Sequence, residues 1–434
     1  MDLNKYRRDL RVQRKDVLLS RIFQSKRDRN PLEIIIETEN NRKVKENVAK
    51  EIRKIGKITH QFKVIPYISI ICTGEDAEQI SNKIYRKDVN RIFEKSFRYT
   101  LNAMKSVDLS NKFSVIPIKK DSKSYFRPKG NLWNLENIGA YKAHESSTGK
   151  GVKIAIIDTG IDYNHNEVSR NFTRNKGYNF INDNDDPFDD YGHGTHVAGI
   201  AAGKNCGVAP DATLYAVKVL DSNGSGSDAT VAAGIEWALL NNTDIASMSL
   251  GGPTASRALE DMCRIASQKG LLLVAAAGNE GYGPEYPAAF GDCVIAVAAV
   301  DRNNRHADFS NIWETNDISA PGVEIYSCYP GGEYRIWDGT SMATPHIPGA
   351  LGLIISKVGN PNSAEEIMYK TAEELEYNGK YENEWVFGAG LVRADNMLEN
   401  AFYKRKINEI LKRKHNDYNH TLKKAGKIAW KIIW

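Results

Sequence analysis

The pattern of apolar and polar positions along the chain changes near residue 150. Upstream, short β-branched and aromatic runs alternate with stretches in which apolar residues recur at helical spacing. Their order predicts a compact β-α-β-β-α-β unit whose segments are residues 34–36, 44–55, 58–62, 64–72, 77–84 and 89–99. The following stretch, rich in Lys, Ser and Pro, is expected to be an exposed linker.

Downstream of Gly151, continuous apolar runs alternate with Ala-rich windows of helical character. The clearest runs are residues 152–157, 214–219, 271–277 and 294–300. Strands without polar alternation are buried on both faces, which is typical of a mainly parallel sheet between helical layers. We therefore expect an α/β fold of three layers, with functional groups at the strand ends and in the loops that follow.

Composition agrees with a folded chain of two or three domains: 434 residues, 41% hydrophobic and 26% charged. No run of 18 apolar residues occurs, so no membrane-spanning segment is expected. The net charge of +5 conceals three segments of different sign. Residues 1–130 carry +15, residues 131–400 carry −18, and residues 401–434 carry +8.

These changes predict five regions: a basic extension (1–30), the small β-α-β-β-α-β domain (31–102), the linker (103–130), the large α/β domain (131–400) and a basic tail (401–434). The tail interleaves Lys and Arg with apolar residues. A solvated or removable extension is the commoner outcome, and contact with an anionic membrane surface is the alternative. No nucleic-acid partner is expected.

The five cysteines are widely separated and form no C-x-x-C pair, so neither a disulfide framework nor a zinc ribbon is predicted. The first 30 residues lack the apolar stretch of a secretory signal. Both features favour a cytoplasmic location, with export by an unconventional route as the alternative.

Three loops carry candidate chemistry, and the first is Asp158-Thr159-Gly160 at the end of an apolar run. Aspartic proteases also use this triplet, but they pair two carboxylates that share a proton, and a single copy would require a homodimer. A strand-end Asp that caps a turn is the structural alternative.

The second loop contains His193-Gly-Thr-His196, where the chain enters a predicted helix. A zinc pair is rejected because neither a nearby Glu nor a third ligand accompanies the two histidines, and His196 is expected to be structural. In the third loop, Ser341 begins an apolar helix, where Ser most often serves as an N-cap. A Ser hydroxyl becomes nucleophilic when a carboxylate-oriented His removes its proton, and Asp158, His193 and Ser341 could supply that set.

The Asp-Thr-Gly, His-Gly-Thr-His-Val-Ala-Gly and Gly-Thr-Ser-Met-Ala-Thr-Pro motifs, in this order, resemble those of the subtilisin-like serine proteases over residues 131–400. The resemblance implies a monomeric endopeptidase of broad specificity that hydrolyses protein and peptide substrates through an acyl-enzyme, without a cofactor. The small domain is similar to the family's propeptide, which inhibits the zymogen until autocatalytic removal, here expected within residues 103–130. The missing signal sequence resembles the intracellular branch.

The resemblance also implies further site residues. Asn279 would complete an oxyanion hole with the N–H of Ser341. Substrate-binding residues would be Gly224, Ser225, Gly226, Ser249, Leu250, Gly251, Ala276 and Gly278. Glu285 would lie at the floor of the primary specificity pocket and favour Lys or Arg alongside large apolar residues, unless it points to solvent.

A structural calcium ion is a further expectation. Residues 200–206 are shorter than the family's usual calcium loop, but carboxylates cluster before His193 as in members that bind calcium there. The predicted ligands are Asp183, Asp185, Asp186 and Asp189. A solvated acidic turn is the alternative.

Two other functions remain open at this point. A dedicated processing protease with one protein target would have the same motifs as a general endopeptidase. A non-catalytic binding protein is the hypothesis from a different functional class. The intact set of Asp, His, Ser and Asn residues argues against it.

Overall fold

The structure is a computed structural model that describes residues 32–73, 76–77, 80, 89–94, 97–100, 103–108 and 132–401. For residues 33, 89–94, 97–100 and 103–108 we describe the backbone alone. The predicted extension (1–30), residues 109–130 of the predicted linker and residues 402–434 of the predicted tail lie outside the described residues, as does most of the predicted helix 77–84.

The described elements of the small N-terminal domain follow the predicted order, but the predicted run 89–99 is divided into two strands, and the second of them, residues 97–100, belongs to a different sheet. Its described elements are β1 (Leu32–Thr38), α1 (Arg42–Ile52), β2 (Lys57–Gln61), β3 (Tyr67–Cys72) and β4 (Val89–Glu94). The four strands form an antiparallel sheet in the order β2-β3-β1-β4. Helix α1 begins after Asn41, whose side chain accepts hydrogen bonds from the first-turn N–H groups, and its buried face packs on the sheet.

The large domain is built on seven parallel strands in the order β15-β14-β13-β11-β7-β9-β8. These strands are β7 (Lys153–Asp158), β8 (Gly177–Asn179), β9 (Thr213–Lys218), β11 (Ile245–Met248), β13 (Leu272–Ala276), β14 (Ile295–Val300) and β15 (Ile318–Pro321). The four predicted strands are β7, β9, β13 and β14. The other three are short, and no sequence prediction identified them.

Helices cover both faces of this sheet, which confirms the predicted three-layer α/β class. They are α2 (Trp133–Asn137), α3 (Ala140–Ala143), α4 (His193–Ala202), α5 (Asp228–Leu240), α6 (Arg257–Gln268), α7 (Thr340–Ala343), α8 (His346–Val358), α9 (Pro361–Thr371) and α10 (Asn383–Phe387). Alternate residues of β7 point to opposite faces: Ile154 and Ile156 belong to the core with α4 and α8, whereas Ala155 and Ile157 belong to the core with α5 and α6.

Two small antiparallel sheets complete the described fold. One has the order β10-β5-β12 and the other β16-β17-β6. Their strands are β5 (Phe97–Thr100), β6 (Ala103–Asp108), β10 (Ser225–Ser227), β12 (Leu250–Gly251), β16 (Ile325–Tyr329) and β17 (Glu333–Asp338). Residues 103–108, predicted as the start of the linker, are therefore a strand. Within the described part of the chain, we find no helix long and apolar enough to cross a membrane.

Candidate active site

Asp158 and His193 form a direct buried pair. Asp158 is the last residue of β7, His193 is the first residue of α4, and both side chains are fully inaccessible. His193 Nδ1 donates to Asp158 Oδ1 at 2.7 Å, and Thr159 N donates to the same oxygen at 2.7 Å. The carboxylate therefore fixes the orientation of the imidazole, and Nε2 has no hydrogen-bond partner among the described residues.

Two glycines allow α4 to begin so close to the end of β7. Gly192 has φ 110°, a left-handed conformation that favours glycine. A β-carbon on Gly194 would lie 2.1 Å from the carbonyl oxygen of Gly160 and 3.1 Å from Cβ of Asp158. The glycines flanking His193 are therefore needed for the contact between the imidazole and the carboxylate.

Asp189 stabilises the start of α4 through several hydrogen bonds. One carboxylate oxygen accepts from Thr159 Oγ1 (2.9 Å), Tyr191 N (3.0 Å) and Gly192 N (2.8 Å). The other accepts from Thr195 N (2.9 Å) and Thr195 Oγ1 (2.6 Å). This 1% exposed carboxylate thus satisfies the orphan N–H groups of the helix that carries His193.

The remaining predicted calcium ligands do not converge with Asp189. Asp183 accepts from Tyr178 Oη at 2.7 Å, Asp186 accepts from Tyr163 Oη at 2.8 Å, and Asp185 is exposed. Over the described residues, no three His, Cys, Asp or Glu side chains are arranged to hold a metal. The four predicted ligands do not converge on one point in the described structure, because protein donors engage the carboxylate of Asp189, and a bound calcium ion stays a prediction.

Ser341 lies in α7, next to the edge strand predicted to bind substrate. Its Oγ donates to the carbonyl of Ser249 at 3.1 Å, and Ser249 Oγ donates to the carbonyl of Ser341 at 2.9 Å. The Ser341 hydroxyl is therefore hydrogen-bonded to Ser249 rather than to His193 in this conformation. Nucleophile–base hydrogen bonds are often unformed before substrate is bound, and a rotation about one side-chain bond redirects the hydroxyl.

Asn279 has one end of its amide held and the other end available. Its Oδ1 accepts from Thr340 N (3.0 Å) and Thr340 Oγ1 (2.8 Å), so Thr340 fixes which way the amide faces. Its Nδ2 is buried and has no hydrogen-bond partner among the described residues. A buried, oriented N–H donor beside a Ser is the feature that an oxyanion hole requires.

The predicted substrate-binding strands already carry an extended segment of the chain itself. β5 lies between β10 and β12 and pairs antiparallel with both. Tyr99 is opposite Ser225 on one side and Gly251 on the other, while Arg98 is opposite Gly226 and Thr100 is opposite Leu250. Both edges therefore pair with an extended strand of the same chain, which is the geometry of strand addition. Gly224, which precedes β10, and Ser249, which precedes β12, complete the two edges.

Glu285 points inward rather than to solvent. Its residue exposure is 7%, and a β-carbon added to Gly251 would lie 2.5 Å from its Cγ. Gly278, with φ 113°, faces the same side chain, since its added β-carbon would lie 3.0 Å from Cβ of Glu285. The carboxylate thus lies between the two predicted substrate-binding segments that follow β11 and β13. Ala276, the last residue of β13, is fully buried.

His196 is a structural residue, as expected from the sequence. Its Nε2 donates to the carbonyl of Arg335 at 3.1 Å, and its ring stacks on Trp337 at 4.7 Å between centroids. Burial lowers the pKa of His196 to about 3. The neutral ring therefore connects α4 to β17, and Trp337 also stacks on His193 at 6.2 Å.

Sequence reasoning missed three supporting residues. Thr340 orients Asn279, and Asn311 holds the loop after it by accepting from Glu280 N at 2.7 Å. Lys218, 1% exposed, donates to the carbonyl of Thr159 and to Asp190 Oδ1, both at 2.6 Å. A single Lys within the apolar run of β9 was the available signal for Lys218, whereas Asn311 has no local signal.

Comparison with known proteins agrees with this geometry. Residues 149–390 match the Subtilase family. Subtilisin NAT from Bacillus subtilis subsp. natto is 39% identical over 318 residues, which cover 69% of this chain and 81% of that protein. Subtilisin from Bacillus pumilus is 42% identical over 273 residues, 60% of this chain and 96% of that protein. Subtilisin Savinase from Lederbergia lenta is 42% identical over 274 residues, which cover 61% of this chain and 97% of that protein.

Proposed function

Since the chain belongs to the subtilase family and is a subtilisin-like serine endopeptidase, we propose that Asp158, His193 and Ser341 are its catalytic triad. Peptides and proteins are its substrates, and no cofactor takes part in the chemistry. The hydrogen bond between Asp158 and His193 supports this assignment most directly, because it holds the imidazole in the tautomer that leaves Nε2 able to accept a proton.

In the proposed mechanism, the Ser341 hydroxyl attacks the scissile carbonyl while His193 Nε2 takes its proton. The tetrahedral oxyanion accepts hydrogen bonds from Asn279 Nδ2 and from the N–H of Ser341 near the start of α7. His193 then gives the proton to the leaving amine, the C–N bond breaks and an acyl-enzyme remains. A water molecule, deprotonated by the same imidazole, hydrolyses the ester and releases the new carboxylate.

We also propose that the chain is made as a self-inhibited zymogen. The pairing of β5 between β10 and β12 supports this, because the segment lies where an extended substrate would lie. β5 ends at Thr100 on the sheet with β10 and β12, and β6 begins at Ala103 on the sheet with β17, so these two segments belong to different sheets. The bond that is cut is therefore proposed to lie between Thr100 and Ala103, just before the segment expected from sequence.

The small domain is the proposed inhibitor. It contacts the large domain through Glu236 of α5, whose Oε1 accepts from the N–H groups of Lys63 and Val64 at 2.6 Å each. His60 Nε2 donates to Oε2 of the same carboxylate at 3.2 Å, and Tyr67 Oη donates to Asp261 at 2.7 Å. These contacts hold the domain beside the cleft while β5 occupies it.

The decisive experiment compares Ser341→Ala with the wild type by mass spectrometry and by casein hydrolysis. The wild type should yield two fragments separated between Thr100 and Ala103 and should digest casein. The variant should remain a single chain and show no hydrolysis above background, because the nucleophile is missing.

Circular dichroism of both proteins serves as the control for folding. Autocleavage or casein hydrolysis by folded Ser341→Ala would contradict the proposed triad. Broad specificity and a cytoplasmic location stay proposals; the five cysteines, all buried and free of disulfides, are compatible with a reducing compartment.

A further inference from the structure

Two of the buried cysteines contact each other beside α4, the helix that carries His193. Cys206 follows α4 in the chain, and Cys328 lies in β16. Their exposed fractions are 1% and 0%, and a hydrogen bond joins their thiol groups. The fold therefore brings together two sulfur atoms that are far apart in the sequence, and the proposed mechanism uses neither of them.

Two glycines leave the room in which both sulfur atoms lie. Cys206 Sγ is 3.4 Å from the carbonyl oxygen of Gly199, and a β-carbon added to Gly199 would lie 2.5 Å from Cys328 Sγ. Cys328 Sγ is also 3.3 Å from the carbonyl oxygen of Thr195, one turn earlier in the same helix. A β-carbon added to Gly203 would lie 2.6 Å from Cys206 Sγ. Both thiols are thus packed against the same turns of α4.

The surroundings keep the reduced Cys206 thiol protonated. Its hydrogen bond with Cys328 and its burial raise the pKa of this thiol well above its ordinary value, and the charge of Glu167 adds to the rise. Glu167 Oε2 lies 3.6 Å from Cys206 Sγ and accepts from Asn205 N at 2.7 Å. Because a buried, protonated thiol is a poor nucleophile, oxidation requires a local opening at the end of α4 and should be slow.

We propose that Cys206 and Cys328 form a reversible thiol–disulfide site, and that the disulfide stabilises the contact between α4 and β16. The oxidant is a small peroxide, hydrogen peroxide being the simplest, and the reductant is a low-molecular-weight thiol. This inference does not depend on the proposed peptidase function.

The oxidation takes place in two balanced steps. Cys206 gives up its proton, its sulfur attacks one oxygen of the peroxide, and the O–O bond breaks. The departing hydroxide takes up the proton as water, which leaves a sulfenic acid on Cys206. The sulfur of Cys328 then displaces hydroxide from this sulfenic acid, the S–S bond forms, and the proton of Cys328 converts the hydroxide into a second water. One peroxide is reduced and two thiols are oxidised.

The cross-link would join two segments that are already in contact. Ser327, next to Cys328 in β16, donates from its Oγ to the carbonyl of His196 in α4 at 2.7 Å. The disulfide would close a loop of about 120 residues, which restricts the unfolded chain. Because the two sulfur atoms already meet, the folded state should form the bond with little rearrangement. The disulfide form should therefore unfold at a higher temperature than the dithiol form.

The test uses the full chain with Ser341→Ala, which lacks the proposed nucleophile. The folded protein is incubated with hydrogen peroxide or with dithiothreitol, alkylated and digested without reduction. Mass spectrometry of the peroxide sample should find the peptide of Cys206 linked to that of Cys328, about 2 Da lighter than the two reduced peptides together. The midpoint of thermal unfolding should be about 5 °C higher than in the dithiothreitol sample. Dithiothreitol added after the peroxide should reverse both changes.

Variants assign the effect to this pair. Cys206→Ala and Cys328→Ala should each lose the linked peptide and the rise in midpoint caused by peroxide. Cys293→Ala, the matched control at another buried cysteine, should keep both. Each variant is compared with itself before and after oxidation, so that a general loss of stability cancels, and circular dichroism checks that each is folded.

Three results would overturn the proposal. The first is a folded protein in which peroxide leaves Cys206 and Cys328 unlinked, whether as thiols or as separate oxidised acids. The second is a link between them that forms only after denaturation. The third is a linked protein whose unfolding midpoint is equal to or lower than that of the dithiol form, which would refute the stabilising role.

Discussion

At the scale of single residues, the candidate site depends on polar side chains that hydrogen bonds to their neighbours hold in one orientation. Asn279 cannot turn its amide, because Thr340 donates twice to its oxygen, and His193 cannot turn its ring, because Asp158 holds Nδ1. Electrostatic stabilisation of a transition state requires such preorganised donors, since no energy is then spent on reorienting them. Sequence motifs identified Asn279 and His193 but not the role of Thr340.

Glu285 yields a prediction about specificity. Its burial beside Gly251 and Gly278 places a carboxylate next to the segments that are predicted to hold the substrate. Replacing it with Gln should lower the ratio of kcat/KM for matched Lys and Phe peptides by about tenfold, because a partly desolvated charge no longer attracts the cation. Steady-state kinetics on the two peptides measures the ratio.

Glu280→Gln is the matched control, since Glu280 is an exposed carboxylate in the same loop. It should change the ratio much less than Glu285→Gln. If the two variants behave alike, or if neither changes the ratio, Glu285 does not determine the preference.

At the scale of elements, two carboxylates near the ends of strands and helices differ in how many hydrogen bonds they accept. Asp189 accepts five hydrogen bonds at the start of α4 and builds the loop before His193. Asp317, just before β15, accepts one from Ala296 N at 2.8 Å. Burial raises the pKa of Asp317 to about 7, and the nearby Glu365 adds to the rise, while the hydrogen bond from Ala296 opposes it.

The pKa of Asp317 predicts how stability depends on pH. Because the folded-state pKa lies above the unfolded value of 3.8, the folded state holds this proton more tightly. Its contribution to stability is complete below about pH 4 and is lost as pH rises through 7. Asp317→Asn should remove this pH dependence. For a pKa shift of this size, the change in the free energy of unfolding is on the order of a few kcal/mol.

Urea unfolding at about pH 5 and about pH 8, on either side of the raised pKa, measures the difference in the Ser341→Ala background, which prevents autolysis. Asp185→Asn, an exposed carboxylate, is the control. If the free energy of unfolding falls by the same amount between the two pH values in Asp317→Asn and in its parent, Asp317 does not cause the pH dependence.

At the scale of the whole molecule, the charge segments coincide with the units that contact each other. Residues 1–130 carry +15 and residues 131–400 carry −18. The small domain docks on α5 and α6, where Glu236 and Asp261 accept its hydrogen bonds. Long-range attraction between the two units is screened over about 8 Å at physiological ionic strength, whereas the partly buried contacts at Glu236 are screened much less.

These contacts predict how the two fragments behave after processing. The two fragments should co-elute in size-exclusion chromatography at low salt. They should separate partly at about 0.5 M salt, because this concentration screens surface charge. Glu236→Ala removes an acceptor of three hydrogen bonds and should weaken the association about 100-fold. The eluted fractions are compared by gel electrophoresis.

Glu260→Ala provides the control, because Glu260 lies on α6 and pairs with Arg264 at the surface. It should leave co-elution intact. Fragments that separate equally in the wild type and in Glu236→Ala would refute the assigned interface.

The sequence by itself determined the α/β class, four of the seven strands of the large sheet and the order of the described elements in the small domain, and it identified Asp158, His193, Asn279 and Ser341 as candidate site residues. Apolar periodicity and short motifs are local, so they can be read from neighbouring positions. The predicted calcium ligands show the complementary limit of such signals. Carboxylates adjacent in sequence have partners that only folding identifies, such as Thr195 for Asp189 and Tyr163 for Asp186.

Only the tertiary structure decided which distant groups meet. The residue that orients Asn279, the docking of the small domain on Glu236 and the pairing of residues 97–100 and 103–108 with strands beside the site all depend on contacts between segments far apart in the chain. Packing and strand register determine these contacts, and neither leaves a periodic signal at the positions that take part.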